Sequence, residues 1–140
     1  MALTPEYLAD KSALARMTDP RVRAALEPLI LEGLVATCGI VDLEVYFSAR
    51  SHADLARTRH LREQAFPVVP MAQSDFDRAA DIMETLAHTG QHRAACLPDL
   101  LIAAVAERAG LCVLHYDDDF DRIAAVTGQP MQWVVPRGSI

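Results

Sequence analysis

The sequence predicts an α/β sandwich built on a mainly parallel central sheet of about four or five short strands flanked by helices. Its strand candidates are brief apolar runs, such as Leu111 to Leu114, of the kind buried on both faces. Helical stretches separate them, long enough for the crossovers that parallel pairing requires. Acids stand where several of the apolar runs stop, at the carboxyl edge where open parallel sheets bind ligands.

Tyr7 to Ala9 reads as the first strand, ending at Asp10, with a helical turn over Ser12 to Met17. Asp19 followed by Pro20 is a helix start, an N-cap acid with proline at the first helical position. This helix runs to about Glu32 with Val22, Leu26, Leu29 and Ile30 inward, and Gly33 stops it. Leu34 to Cys38 is a second strand. Ile40 to Ala49 is helical, with Val41, Leu43, Val45 and Phe47 at mixed positions. Ser51 with Asp54 resembles a cap and opens a helix to about Ala65. Pro67 and Pro70 bracket an extended Val68-Val69. Ser74 caps a further helix with Phe76, Ala80, Met83, Leu86 and Ala87 on one face, broken at Gly90. After a polar loop, Pro98 opens an apolar helix to Ala109, and Gly110 turns it into the strand Leu111 to Leu114. Three acids, Asp117 to Asp119, precede a helix over Phe120 to Val126, and Gly128-Gln129-Pro130 turns into a last strand, Met131 to Val134.

The 140 residues, 51% hydrophobic and 23% charged, suit one soluble domain over residues 1–140. No apolar run approaches the roughly 20 residues that cross a bilayer, and Glu6 and Asp10 near the start argue against a signal peptide. The three cysteines, Cys38, Cys96 and Cys112, are scattered, which fits a reduced cytoplasm. The net charge of −6 argues against nucleic acid, yet all basic residues except Lys11 are arginine, the better phosphate fork. Four of them, Arg50, Arg57, Arg59 and Arg62, fall in one segment that reads either as phosphate contacts or as a solvated helix face.

The acids carry the functional signal. Asp10 ends a strand at the ligand edge, or caps the turn at Ser12. Glu44 is either a solvated mid-helix residue or one that borders the core beside Ile40, Leu43 and Phe47. Asp42, two residues earlier, lies on another face and reads as surface. Asp99 is either a helix-start carboxylate or half of a pair facing Asp117 across one crevice. Asp117 to Asp119 exceeds what capping requires, with Asp117 nearest the strand end and Asp119 pointing elsewhere or leaning in through a water. Grouped carboxylates repel, and a divalent cation on oxygen ligands removes the conflict. His115 reads as packing within its strand, and His88 and His92, with Gly90 between them, make a poor zinc pair.

Together these pieces resemble the PIN-domain ribonucleases, specifically the VapC-type toxins of VapBC toxin–antitoxin pairs. The resemblance rests on Tyr7-Leu8-Ala9-Asp10-Lys11-Ser12-Ala13-Leu14, Gly39-Ile40-Val41-Asp42-Leu43-Glu44, Pro98-Asp99-Leu100-Leu101-Ile102-Ala103-Ala104 and Tyr116-Asp117-Asp118-Asp119-Phe120 with Ile123-Ala124. It implies a PIN-like domain whose catalytic residues are Asp10, Glu44, Asp99 and Asp117, holding one or two Mg²⁺ or Mn²⁺ ions, with Asp119 as a fifth ligand. Ser12 matches a small polar position near the first acid, and Lys11 replaces the small hydroxyl residue of many relatives. Lys11, Ser12 and Arg16 are the expected substrate contacts. The resemblance further implies a cytoplasmic homodimer that cuts structured RNA, tRNA or rRNA, and a VapB-type antitoxin covering the acid pocket.

Two rival classes stand beside this one. A phosphohydrolase with an aspartyl nucleophile at Asp10 wants a second aspartate where Ser12 stands. A non-catalytic module that binds RNA or ribosomes needs no acid group. A P-loop enzyme is excluded, because none of the six glycines forms a phosphate loop.

Overall fold

In the computed structural model, which describes residues 4–140, the first apolar run lies inside the sheet. β1 (Tyr7–Ala9) pairs with β2 (Val35–Ala36) on one side and β3 (Cys112–His115) on the other, and β4 (Met131–Trp133) extends the sheet beyond β3. Every pairing is parallel. A parallel bridge from Thr37 to Val68 prolongs the β2 edge, with the Val69 N–H donating to the Thr37 carbonyl at 2.8 Å. The stretch between the two prolines thus adds a short fifth ribbon to the four strands.

Successive side chains of β1 and β3 feed two apolar layers, which is why the strands are apolar without alternation. Leu8 and Val113 pack with residues of α3 (Gly39–Phe47), α5 (Gln73–Ala87), α6 (Leu97–Ala109) and α7 (Asp119–Thr127). Ala9 and Leu114 pack with α1 (Lys11–Leu14), α2 (Pro20–Leu31) and Phe66, which caps α4 (His52–Ala65). In α6, Ala103, Ala104 and Ala106 are buried beside Leu100, Ile102 and Val105, so this helix sits deep among its neighbours. Removing the Leu100 side chain would cost about 2–5 kcal/mol. Gly110 ends α6 at φ 70°, a left-handed conformation that an L side chain resists, and so turns the chain straight into β3.

Three details depart from the sequence reading. The cap of α5 is Ala72, not Ser74, and the Ala72 N–H donates to the Asp75 carboxylate at 2.8 Å. Arg108 also grips Asp75, which turns that acid inward. Asp75, Ala79, Ile82 and Leu86 therefore face the core, Met83 packs partly against it, and Phe76, Ala80 and Ala87 face outward. Asp42 is not a free surface acid: it accepts from the Thr37 hydroxyl at 2.7 Å and from Arg62 at 2.9 Å. Leu43 and Phe47 of α3 are exposed.

Candidate functional site

The end of β1 sets the first acid. The Asp10 N–H makes the last rung to the Leu114 carbonyl at 2.9 Å, and its side chain, 3% exposed, turns back under the sheet edge. One oxygen, Oδ2, accepts from the Ser12 N–H at 2.9 Å and caps α1; the other, Oδ1, is buried without a partner. Glu44, half-buried on α3, likewise keeps Oε1 buried and unpartnered.

Asp99 lies in the first turn of α6 but does not cap it. The N-cap is Cys96, which makes no side-chain capping bond. Asp99 is 5% exposed, and its Oδ2 is buried without a donor. Asp117 follows β3 and does take on a capping task, accepting from the Asp119 N–H at 3.0 Å at the start of α7. Asp119 leans in directly rather than pointing away. It accepts from the Cys96 N–H at 3.3 Å and from Arg122 at 2.9 Å, and its carboxylate lies within 4.8 Å of Asp99 Oδ and Cys96 Sγ.

These side chains feel one another. Burial pushes the Asp99 carboxyl up to about 9, helped by the charge of Asp10 and by Asp119 and Asp117. Burial raises Glu44 as well, Asp10 adds to it, and Lys11 opposes it. Asp117 is raised by burial and by the charges of Asp119, Asp10 and Asp118, against the Asp119 N–H that lowers it. Among the described residues, the only carboxylate oxygens buried without a hydrogen-bond partner are Asp10 Oδ1, Glu44 Oε1 and Asp99 Oδ2. A buried carboxylate in that state demands a proton or a cation. The donors are oxygens on separate elements, a set that fits a hard divalent ion such as Mg²⁺ or Mn²⁺.

The other expected contacts divide. Ser12 ties α1 to the sheet, its hydroxyl accepting from the Tyr116 N–H at 2.8 Å. Arg16 donates to the Ser12 carbonyl at 2.6 Å and lies over the Tyr116 ring, 4.7 Å from its centroid. Lys11 stands beside Glu44. In the arginine segment Arg62 is buried against Asp42 and Phe66, while Arg57 pairs with Asp54 and Arg59 with Glu63 at exposed positions. His115 is buried between Phe120 and Trp133, with its Nδ1 accepting from the Asp117 N–H at 3.2 Å. Burial pushes its imidazole down, against the charges of Asp121 and Asp10. Sequence reasoning missed Cys96 beside Asp99 and Asp119, although its place just ahead of Leu97-Pro98 marks it as the helix cap.

Carboxylates that influence one another lie at the carboxyl edge of a parallel sheet, and comparison with known proteins gives the class. The PIN domain family matches residues 7–126, and the chain belongs to that family. Within it the chain falls in the VapC group. It is 49% identical over 137 residues to Ribonuclease VapC21 of Mycobacterium tuberculosis, covering 98% of this chain and 99% of that protein. It is also 49% identical over 135 residues to Ribonuclease VapC51 of the same organism, covering 96% and 97%. Among solved structures, DNA-bound VapBC from Salmonella typhimurium superposes with a TM-score of 0.73 at 16% identity, covering 94% of this chain and 100% of that one. FitAcB from Neisseria gonorrhoeae gives 0.71 at 21% identity, covering 91% and 97%. At these identities the two structures speak for the fold.

Proposed function

We propose that this protein is the toxin ribonuclease of a type II toxin–antitoxin pair, a metal-dependent endoribonuclease that cuts structured cellular RNA. The observation that carries the reading is the set of three unpartnered carboxylate oxygens from the residue after β1, from α3 and from α6. Asp10, Glu44, Asp99 and Asp117 hold one or two Mg²⁺ or Mn²⁺ ions, and Asp119 supports Asp99. When bound, the ion supplies a water of lowered pKa and a neutralising charge for a phosphate oxygen. Asp10 is fixed by its bond from Ser12, and Asp117 by its bond from Asp119, so both reach the site already oriented. Lys11 and Arg16 meet the phosphates on either side. The names of the relatives support the ribonuclease activity.

The partners follow from the same placement. Some solved neighbours are VapBC complexes, which supports a small VapB-type antitoxin. An apolar groove of about 340 Å³ runs from Lys11 past Leu14 and Val45 to Leu61, a seat for an amphipathic antitoxin helix whose tail reaches the acids. The substrate is tRNA or rRNA, met in the cytoplasm. Among the described residues no helix is long and apolar enough to cross a membrane. The protein works as a homodimer.

Incubation of the purified protein with total RNA tests the reaction. New RNA ends are expected with Mg²⁺ or Mn²⁺, and none with EDTA or with Asp99→Asn. RNA left whole in the presence of metal, with no antitoxin in the preparation, would overturn the proposal.

A further inference from the structure

Beside the acids lies an open cleft of about 510 Å³ lined by Arg16, Tyr116, Asp117, Asp118, Trp133 and Arg137. Its size is that of ordinary ligand sites. It opens from the acid group itself, because Asp117 belongs to both. We propose that this cleft is a base-stacking subsite for single-stranded RNA next to the cut, with Trp133 as the platform, braced edge-on by Tyr116, and Arg16 and Arg137 as the phosphate contacts. The inference rests on the ribonuclease reading above.

The platform is built by the sheet. Trp133 ends β4 and pairs in register with His115, so Tyr116, the next residue of the neighbouring strand, meets it edge to face at 5.3 Å and 87°. Both polar handles are committed. The indole N–H donates to Asp121 at 3.1 Å, and the Tyr116 hydroxyl accepts from the Ile140 N–H at 3.1 Å. The buried His115 ring backs the indole at 4.9 Å. Ring positions are therefore fixed, as a stacking surface requires.

The cations complete it. Arg16 is anchored by its bond to the Ser12 carbonyl, with its guanidinium over Tyr116. Arg137 lies over the Trp133 ring at 5.8 Å and pairs with Asp118 at 2.9 Å. That pair is exposed, and exposed pairs hold weakly, so Arg137 can leave the indole for a phosphate while a base takes its place. An aromatic face beside arginines is the pattern that binds single strands without strong sequence preference. A duplex keeps its bases stacked and offers none to the platform.

Trp133 is the only tryptophan in the chain, so its fluorescence reports this cleft alone. The experiment titrates Asp99→Asn, in Mg²⁺, with a short mixed-sequence single-stranded RNA and with the same RNA as duplex, following both emission and the anisotropy of labelled RNA. Quenching by the single strand and not by the duplex is expected. Unchanged emission while the RNA binds overturns the proposal, as does failure of the single strand to bind, or equal quenching by the duplex. In wild-type kinetics, Trp133→Ala should raise KM about five- to a hundredfold with kcat nearly unchanged, and Trp133→Phe should restore most of it. Arg137→Ala, an exposed change that leaves the core alone, should weaken binding and lower the salt slope by about one. Wild-type cleavage with no quenching sinks the subsite and leaves the ribonuclease standing. Quenching of Asp99→Asn with no cleavage by the wild type in Mg²⁺ or Mn²⁺ sinks the ribonuclease reading instead.

Discussion

A carboxylate in the first turn of a helix ordinarily accepts free N–H groups, but Asp99 leaves one oxygen buried with no donor at all. Its carboxyl, near 9 when folded, holds a proton that the unfolded chain loses near the ordinary 3.8. The folded state thus binds the extra proton between those values, and its stability falls as pH rises through that window. In EDTA the Tm should decline from about pH 5 to pH 9, and Mg²⁺ should restore it most at the alkaline end. Asp99→Asn mimics the neutral form. It should flatten the EDTA profile, raise metal-free stability toward the alkaline end and abolish the Mg²⁺-dependent gain. A wild-type Tm independent of pH and metal would defeat this account. Residue by residue, the positions of Asp10, Asp99 and Asp117 were legible because a parallel sheet sends strand ends and helix starts to one edge. Asp119 was named with them, but the contact that turns it inward, from the Cys96 N–H, spans 23 positions of sequence and was not legible.

At the level of elements, the ends of helices were easier to read than their faces. Asp19-Pro20 and Gly110 are local signals, and α2 and α6 begin or end where those residues place them. The buried side of α5 has no such signal, since an acid, Asp75, lies in the core at 1% exposure. It is tolerated there because Arg108, near the end of α6, donates to it twice, at 2.7 and 2.9 Å, and reaches the Pro70 carbonyl with the same guanidinium. The clamp joins α5 to the far end of the helix whose start holds Asp99. Arg108→Ala would strand a buried carboxylate and should cost about 3–5 kcal/mol in urea unfolding. Arg108 holds the Asp75 carboxyl below its usual range, so the clamp's contribution is present above about pH 4 and is lost as pH falls through the lower folded value. The cost of the substitution should shrink accordingly in acid. An equal cost at pH 7 and in strong acid would rule out the ion pair as its origin.

Across the whole molecule the exposed apolar side chains are dispersed, but two of them, Leu43 and Phe76, meet between α3 and α5. Leu43 and Phe76 are 64% and 50% exposed and line a largely apolar cleft with Ile40, Tyr46, Met71 and Leu101. Sequence reasoning placed Phe76 inward, and only the rotation of α5 about Asp75 brings it to this surface. Such a patch is costly on a lone chain and suits the proposed second copy, packed about a two-fold axis. Leu43 directly precedes Glu44 on α3, so an interface on this side also steadies the helix that carries one of the acids. Phe76→Glu places a charge in the proposed seam without touching the acid group. Sedimentation should then show the wild type as a dimer and the variant as a monomer of unchanged far-UV circular dichroism, with RNA cleavage reduced severalfold. A wild type that sediments as a monomer at every concentration tested would remove the dimer from the proposal, and an active monomeric variant would show that α3 holds Glu44 in place unaided.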